Sequence, residues 1–88
     1  MTINYYGQMK DTRVNTRIAT IEYKEEEQSS IDRLLTLMKI QVPQWYNKTS
    51  LFENMITIGV ADREEYKELV EWYKCIKKSI ALWKKFNI

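Results

Sequence analysis

One extended segment constrains the fold of this chain more than any other feature. Residues 13–23, RVNTRIATIEY, are rich in β-branched and aromatic side chains and lack both a helix breaker and a helical apolar stripe, so they are predicted to be extended. A lone strand is unstable because its backbone N–H and C=O groups need partners, and we identify no second full-length strand. The strand is therefore expected to pair with the same strand of a second copy, in a two-stranded antiparallel ribbon backed by helices.

The side chains of this strand can be arranged in two frames, and the sequence leaves both open. Successive side chains alternate between the two faces of a strand. The first frame has the core residues Ala19, Ile21 and Tyr23 and the outward residues Ile18, Thr20 and Glu22. The second frame has the core residues Val14, Thr16 and Ile18 and the outward residues Arg13, Asn15 and Arg17. The outward set of the second frame suits DNA bases, since Arg pairs with guanine and Asn with adenine.

A helix is predicted to follow the strand. Its apolar side chains recur at three- and four-residue steps and form one stripe, made of Ile31, Leu34, Leu35 and Met38. Three glutamates precede the stripe, near the positive end of the helix dipole, so the helix can begin anywhere between Lys24 and Ser30. Pro43 bars its continuation.

Residues 47–60, NKTSLFENMITIGV, are predicted to form a second helix. The apolar residues recur at helical steps and are Leu51, Phe52, Met55, Ile56 and Ile58. The front carries hydrogen-bonding side chains where the free N–H groups of a helix start would point, namely Asn47, Lys48, Thr49 and Ser50. Gly59 is expected to end the helix, because glycine readily takes the left-handed conformation that closes a last turn.

A third, long helix is predicted after Gly59. Asp62 and Glu65 have the spacing of a capping box at its start. Its apolar residues follow a heptad seam made of Tyr66, Leu69, Tyr73, Ile76, Ile80 and Trp83. This seam is expected either to pack on the rest of the fold or to drive oligomerisation. A further use of this helix is non-specific contact with phosphates through Lys77, Lys78, Lys84 and Lys85.

Length and composition restrict the classes of function. A chain of 88 residues allows one domain with a modest core, which favours self-association. The net charge is only +2, but bases cluster in residues 1–24 and 74–88, which suits a polyanion and is also compatible with plain helix-dipole pairing. The chain has one cysteine and no histidine, so we expect no enzyme activity, metal site or cofactor. The single Cys75, the lack of a signal-peptide pattern and the lack of a membrane-spanning apolar run predict a cytoplasmic protein.

The predicted order of strand, helix and polar-capped helix resembles the ribbon-helix-helix family of dimeric DNA-binding proteins. The resemblance covers residues 17–60, and residues 47–56, NKTSLFENMI, match in character the family pattern Ser-x-Ser-x-Leu-Ile-x-x-Ala-Ile. It implies that the ribbon enters the major groove and that the start of the second helix binds a phosphate. The candidate base contacts are then Arg13, Asn15, Arg17 and Thr20. The candidate phosphate contacts are Lys24, Asn47, Lys48, Thr49 and Ser50.

The expected protein is thus mainly α with one β-strand per chain, a dimeric ribbon-helix-helix with a C-terminal helical extension. Its expected parts are an arm at residues 1–12, either irregular or a short strand with a turn near Gly7, a DNA-binding domain at 13–60 and a long amphipathic helix at 61–88. The expected partners are double-stranded DNA and a second copy, in a dimer or tetramer, without a membrane or a small-molecule cofactor. The resemblance implies a transcriptional regulator, or a plasmid or phage relaxosome or partition accessory factor. The alternative is a small protein-interaction module, such as a phage-encoded inhibitor or an antitoxin-like binder, that uses the C-terminal helix.

Overall fold

The computed structural model of the chain describes residues 1–6 and 17–86. The strands are β1 (Thr2–Tyr6), β2 (Arg17–Glu22), β3 (Thr49–Phe52) and β4 (Met55–Val60). The helices are α1 (Gln28–Gln41), which follows a 3₁₀ turn at Glu25–Glu27, the short α2 (Pro43–Tyr46) and α3 (Arg63–Phe86). In chain order, two strands, two helices, two strands and a long helix follow one another.

The strands form one antiparallel sheet in the order β1-β2-β4-β3. Strand β2 is an inner strand, because Ile21 lies opposite Ile3 of β1 on one side and opposite Ile56 of β4 on the other. The expected fold, mainly α with one strand per chain in a dimeric ribbon-helix-helix, is therefore wrong. Both edges of β2 are occupied within its own chain, so β2 has no free edge for pairing with a second copy.

The helices cover one face of the sheet, and the core lies between them. Alternate residues of β2 point into this core, where Ala19 and Ile21 are fully buried, and Tyr23, directly after the strand, is nearly so. The inward set of the first predicted strand frame is thus confirmed, whereas Thr20 of its outward set is only 2% exposed. The same alternation puts Thr20 on the face that the helices do not cover. Strand β4 contributes Ile56, Ile58 and Val60 to the core, while α1 and α3 supply most of the rest.

Residues 49–60 form a β-hairpin, and the prediction of a helix there is wrong. Every second residue of β4, namely Ile56, Ile58 and Val60, is β-branched and buried, which is the period of a half-buried strand. Glu53 and Asn54 make the turn, and Glu53 takes the left-handed backbone conformation with φ 53°. Gly59 lies inside β4 instead of closing a helix, and its backbone N–H donates to the carbonyl of Lys48 at 3.1 Å.

The predictions for α1 and α3 are confirmed. Helix α1 starts within the expected interval and stops before Pro43, and its stripe residues Ile31, Leu34 and Met38 are fully buried. At the start of α3, the backbone N–H of Glu65 donates to the Asp62 carboxylate at 2.8 Å, which is one half of the predicted capping box, while the Glu65 carboxylate accepts from Trp45 Nε1.

The heptad seam of α3 packs on the chain's own core. Leu69, Tyr73, Ile76 and Ile80 are all buried there, and each of the three aliphatic side chains contributes on the order of 1.5–3 kcal/mol to folding. Tyr66 packs against the core while partly exposed, and Trp83 stays more than a third exposed. The first of the two predicted uses of the seam, packing on the rest of the fold, accounts for its buried residues.

Candidate functional site

Of the four candidate base-contacting residues, the structure describes Arg17 and Thr20 and does not bring these two together. Arg13 and Asn15 lie outside the described residues. Arg17 begins β2, and its Nη1 donates to the carbonyl of Ala61 at 3.1 Å. Thr20 lies on the opposite face of that strand and is only 2% exposed, so Arg17 and Thr20 cannot form one reading surface.

The candidate phosphate contacts do not sit at a helix start. Asn47 and Lys48 form a turn after α2, whereas Thr49 and Ser50 belong to β3. The predicted phosphate-binding site at the amino end of a second helix is therefore wrong, because no helix begins at residues 47–50.

Lys24 belongs to the opposite end of the β3–β4 hairpin, next to the Glu53–Asn54 turn. The backbone N–H of its neighbour Tyr23 donates to the carbonyl of Asn54 at 3.0 Å. The backbone N–H of Lys24 itself donates to the Glu27 carboxylate, also at 3.0 Å, which lowers the pKa of Glu27 together with the nearby amino group of Met1. Lys24 therefore caps the 3₁₀ turn and is separated from the turn at residues 47–48.

Strand β3 forms an open edge of the sheet. It pairs with β4 on one side, and no described strand lies on the other. The hydrogen bond from the Gly59 N–H to the Lys48 carbonyl shows that the backbone groups of Lys48 face β4. Along an antiparallel pair, the backbone groups of successive residues alternate between facing the partner strand and facing away from it. The N–H and C=O groups of Thr49 and Leu51 consequently point away from the sheet, where they are free to bind another strand.

An apolar groove runs beside this edge, between α1 and β3. One part has a volume of about 480 Å³ and is lined by Leu35, Thr36, Lys39, Ile40 and Tyr46. The other part measures about 220 Å³ and is lined by Leu35, Tyr46, Thr49 and Leu51. The two parts share Leu35 and Tyr46, so we treat them as one feature, the β3 groove.

Two aliphatic side chains of the β3 groove are largely in solvent. Ile40 is 71% exposed and Leu51 is 58% exposed. Phe52, the next residue of β3, is 68% exposed and projects from the opposite face of the sheet. The edge strand thus carries a large apolar side chain on each face, and on the groove face Leu51 and Ile40 line the two joined parts of the β3 groove.

Hydrogen bonds and ring contacts hold the walls of the groove in place. The hydroxyl of Thr49 donates to the carbonyl of Trp45 at 2.8 Å and so ties β3 to α2. Trp45 is in turn tied to α3, because its Nε1 donates to Glu65 at 3.1 Å and its ring meets Trp72 edge-on at 6.3 Å. Trp72 also donates to the side chain of Gln41 at 3.1 Å, which ties down the end of α1. The groove is therefore preformed.

The charge along the groove is positive. Lys39 lies in it, with its Nζ 5.8 Å from the centre of the Tyr46 ring, and the exposed Lys48 immediately precedes β3. No carboxylate is among the residues that line it. The surface therefore combines unpaired backbone groups, exposed aliphatic side chains and two lysines.

Sequence reasoning missed this site because it assigned Leu51 and Phe52 to the buried face of a helix. The signal that could have revealed the hairpin was the alternation in MITIGV, which follows the polar pair Glu53 and Asn54. The exposure of Leu51 had no local signal, since it depends on β3 lying at the edge of the sheet.

The described residues hold no cluster of three or more His, Cys, Asp or Glu side chains that could bind a metal ion. Across residues 1–6 and 17–86, each helix is too short or too polar to cross a membrane. No protein-family model, curated protein or solved structure compared with this chain matches it, and nothing in these comparisons identifies a ribbon-helix-helix family.

Proposed function

We propose that this protein is a small protein-interaction module that binds an extended segment of a partner protein along the edge of β3. The observation that carries the proposal is the position of the unpaired backbone groups of Thr49 and Leu51 directly beside the β3 groove. In strand addition of this kind, backbone hydrogen bonds supply affinity and pockets for alternate side chains supply specificity. The β3 edge offers both.

Strand β3 lacks several features that commonly protect a sheet edge from pairing with another chain. Sheet edges are usually protected by proline, by inward-pointing charges or by a bulge, which prevent pairing with other chains. Strand β3 has the sequence TSLF and contains none of these. An incoming strand would place every second side chain over the groove, against Leu51 and Ile40.

The properties of the groove define the partner segment. We expect the partner segment to be extended and to carry apolar side chains at alternate positions. It also carries acidic residues where it passes Lys39 and Lys48. Each backbone hydrogen bond adds about 0.5–1.5 kcal/mol, so the short edge needs the apolar contacts as well to bind tightly.

The proposal retains the protein-interaction alternative but moves its site from α3 to β3. The seam of α3 is largely buried in the chain's own core, which leaves it little area for a partner. A β2 ribbon for insertion into DNA would need a free edge on β2, which an inner strand does not have.

A selection of displayed extended peptides would test the proposal. The affinity of the selected peptides would be measured by fluorescence anisotropy for the wild type and for Leu51→Asp, which we expect to weaken binding by at least about tenfold, or 1.4 kcal/mol. Leu82→Asp is the matched control, because Leu82 on α3 is 56% exposed and Leu51 is 58% exposed. Equal loss in both variants would refute the β3 site.

Hydrogen exchange would locate the bound segment. We expect the amides of Thr49 and Leu51 to gain protection when a selected peptide binds, because they become donors to the added strand. Protection confined to another element would contradict the proposal. Sedimentation of the protein alone would show whether a second copy takes the edge, in which case association would disappear in Leu51→Asp.

A further inference from the structure

The second half of α3 carries a one-sided array of lysines. We call it the lysine stripe, and it consists of Lys74, Lys77, Lys78, Lys84 and Lys85. At 3.6 residues per turn, these positions fall within an arc of about 120° around the helix axis. Residues 72–86 contain no Asp or Glu, so no acid within this stretch of the helix neutralises the stripe.

The lysine stripe lies beside the buried seam and faces away from the core. Its members are exposed except for Lys84, which is partly buried. Ala81 lies near the middle of the arc, and with Lys74, Lys77 and Lys78 it lines a shallow depression of about 360 Å³. The small side chain of Ala81 lets a ligand approach the helix between the ammonium groups.

The stripe lysines are not paired with carboxylates within the described part of the chain. There, Lys67 pairs with Glu64 at 3.4 Å, whereas none of the five stripe lysines forms a salt bridge. Lys77 has a ring contact, with its Nζ 5.9 Å from the centre of the Tyr73 ring, which leaves its hydrogen-bond donors available. The stripe therefore presents positive charge to solvent.

We propose that the lysine stripe binds the phosphate backbone of double-stranded nucleic acid without reading its sequence. The stripe spans about 17 Å of helix from Lys74 to Lys85, at 1.5 Å per residue. A duplex carries one negative charge per about 1.7 Å of its axis, so the same length presents about ten phosphate charges over both strands. Five lysines along one side match the roughly five phosphate charges that one strand presents over this length, and the stripe carries no Arg, Asn or Gln to read bases.

The surroundings of the stripe favour a nucleic acid over an anionic membrane. A helix that lies in a membrane surface needs a broad exposed apolar face, but the apolar face of α3 is mostly in the core. The outward apolar side chains beside the stripe are Leu82 and Phe86, and farther back the same side of the helix carries Glu64, Glu68 and Glu71. Two apolar side chains on the same side as these glutamates do not form the broad apolar face that binding in a lipid surface needs.

Binding of the full chain to a labelled duplex about 20 base pairs long, at salt concentrations from about 50 to 200 mM, would test the proposal. Four to five phosphate contacts predict a loss of affinity of about 10²- to 10³-fold over this range. A second duplex of unrelated sequence is expected to bind equally well.

Charge-matched variants separate the stripe from net charge. In the triple variant Lys74→Gln, Lys78→Gln and Lys85→Gln, we expect the slope of log affinity against log salt to fall by about 0.9 for each lysine removed. The control removes the same charge from exposed lysines elsewhere, through the changes Lys24→Gln, Lys39→Gln and Lys48→Gln. Thermal melting of both variants would check that the fold is kept.

Three results would overturn the proposal. They are an equal loss of affinity in the control variant, no binding or salt-independent binding to the duplex at about 50 mM salt, and tighter binding to phosphatidylserine vesicles than to the duplex. Because the control removes Lys39 and Lys48 but leaves the stripe intact, loss of peptide binding at β3 and loss of duplex binding can be distinguished.

Discussion

The buried hydroxyl of Tyr73 gives the most direct test of the packing of α3. Tyr73 is only 4% exposed, and its hydroxyl has no hydrogen-bond partner among the described residues. Burying a hydroxyl without a partner costs about 1–3 kcal/mol in proteins. Tyr73→Phe keeps the ring and removes the oxygen, so we expect it to raise the free energy of unfolding by about 1 kcal/mol, the lower end of that range, because Lys77 and solvent are close.

The pH dependence of this effect has a definite sign. Burial raises the pKa of Tyr73 above its usual value of 10.0, and the negative charge of Glu27 raises it further. A raised pKa means that the folded state holds the proton more tightly than the unfolded state does. The resulting contribution to stability is fully present below about pH 10 and is lost as the pH rises through the folded-state pKa. The wild type should therefore lose more stability than Tyr73→Phe above about pH 10.

Urea denaturation followed by circular dichroism, at about pH 7 and about pH 10.5, measures both effects. Tyr66→Phe is the control, since the ring of Tyr66 is partly exposed and packs on Tyr5 at 4.9 Å, and it should change stability little. A less stable Tyr73→Phe at neutral pH would mean that the hydroxyl has a partner in solution, which would refute the reasoning.

Two further substitutions test the sheet, and urea denaturation measures each. The Thr20 hydroxyl is buried without a partner among the described residues, so Thr20→Val should raise the free energy of unfolding by about 1 kcal/mol, and a decrease would show that the hydroxyl is satisfied. Glu53 has φ 53°, a conformation that costs most residues about 1–2 kcal/mol but that Asn adopts more readily. Glu53→Asn should therefore stabilise the hairpin by up to about 1 kcal/mol, and an unchanged midpoint would argue against a left-handed Glu53.

Local signals were sufficient to predict the two long helices. The stripe of Ile31, Leu34 and Met38, the stop before Pro43 and the Asp62 cap each lie within one element, so they act whatever the rest of the chain does. The inward frame of β2 was not determined in this way, because the alternation in residues 13–23 fits two frames, and pairing of β2 with β1 and β4 decided between them.

The hairpin could not be predicted in this way. The apolar residues of the segment 51–58 fit helical steps as well as the alternation of a strand, and its polar start fits a helix cap as well as a turn. Pairing with β2 decided between the two, since only a strand places Ile56 opposite Ile21 and lets Gly59 approach Lys48. That pairing joins residues more than thirty positions apart in the chain, and no local pattern contains it.

The two candidate sites also differ in how far the sequence predicts them. The lysines of α3 and their one-sided arrangement follow from the sequence once the helix is predicted, because helical spacing fixes their angular positions. The β3 groove and its open edge exist only because the tertiary fold puts β2 and β4 inside the sheet and leaves β3 outside. The sequence by itself thus determined the two long helices and the charge they carry, whereas the order of the strands, set by long-range backbone pairing, decided which apolar residues remain exposed for a partner.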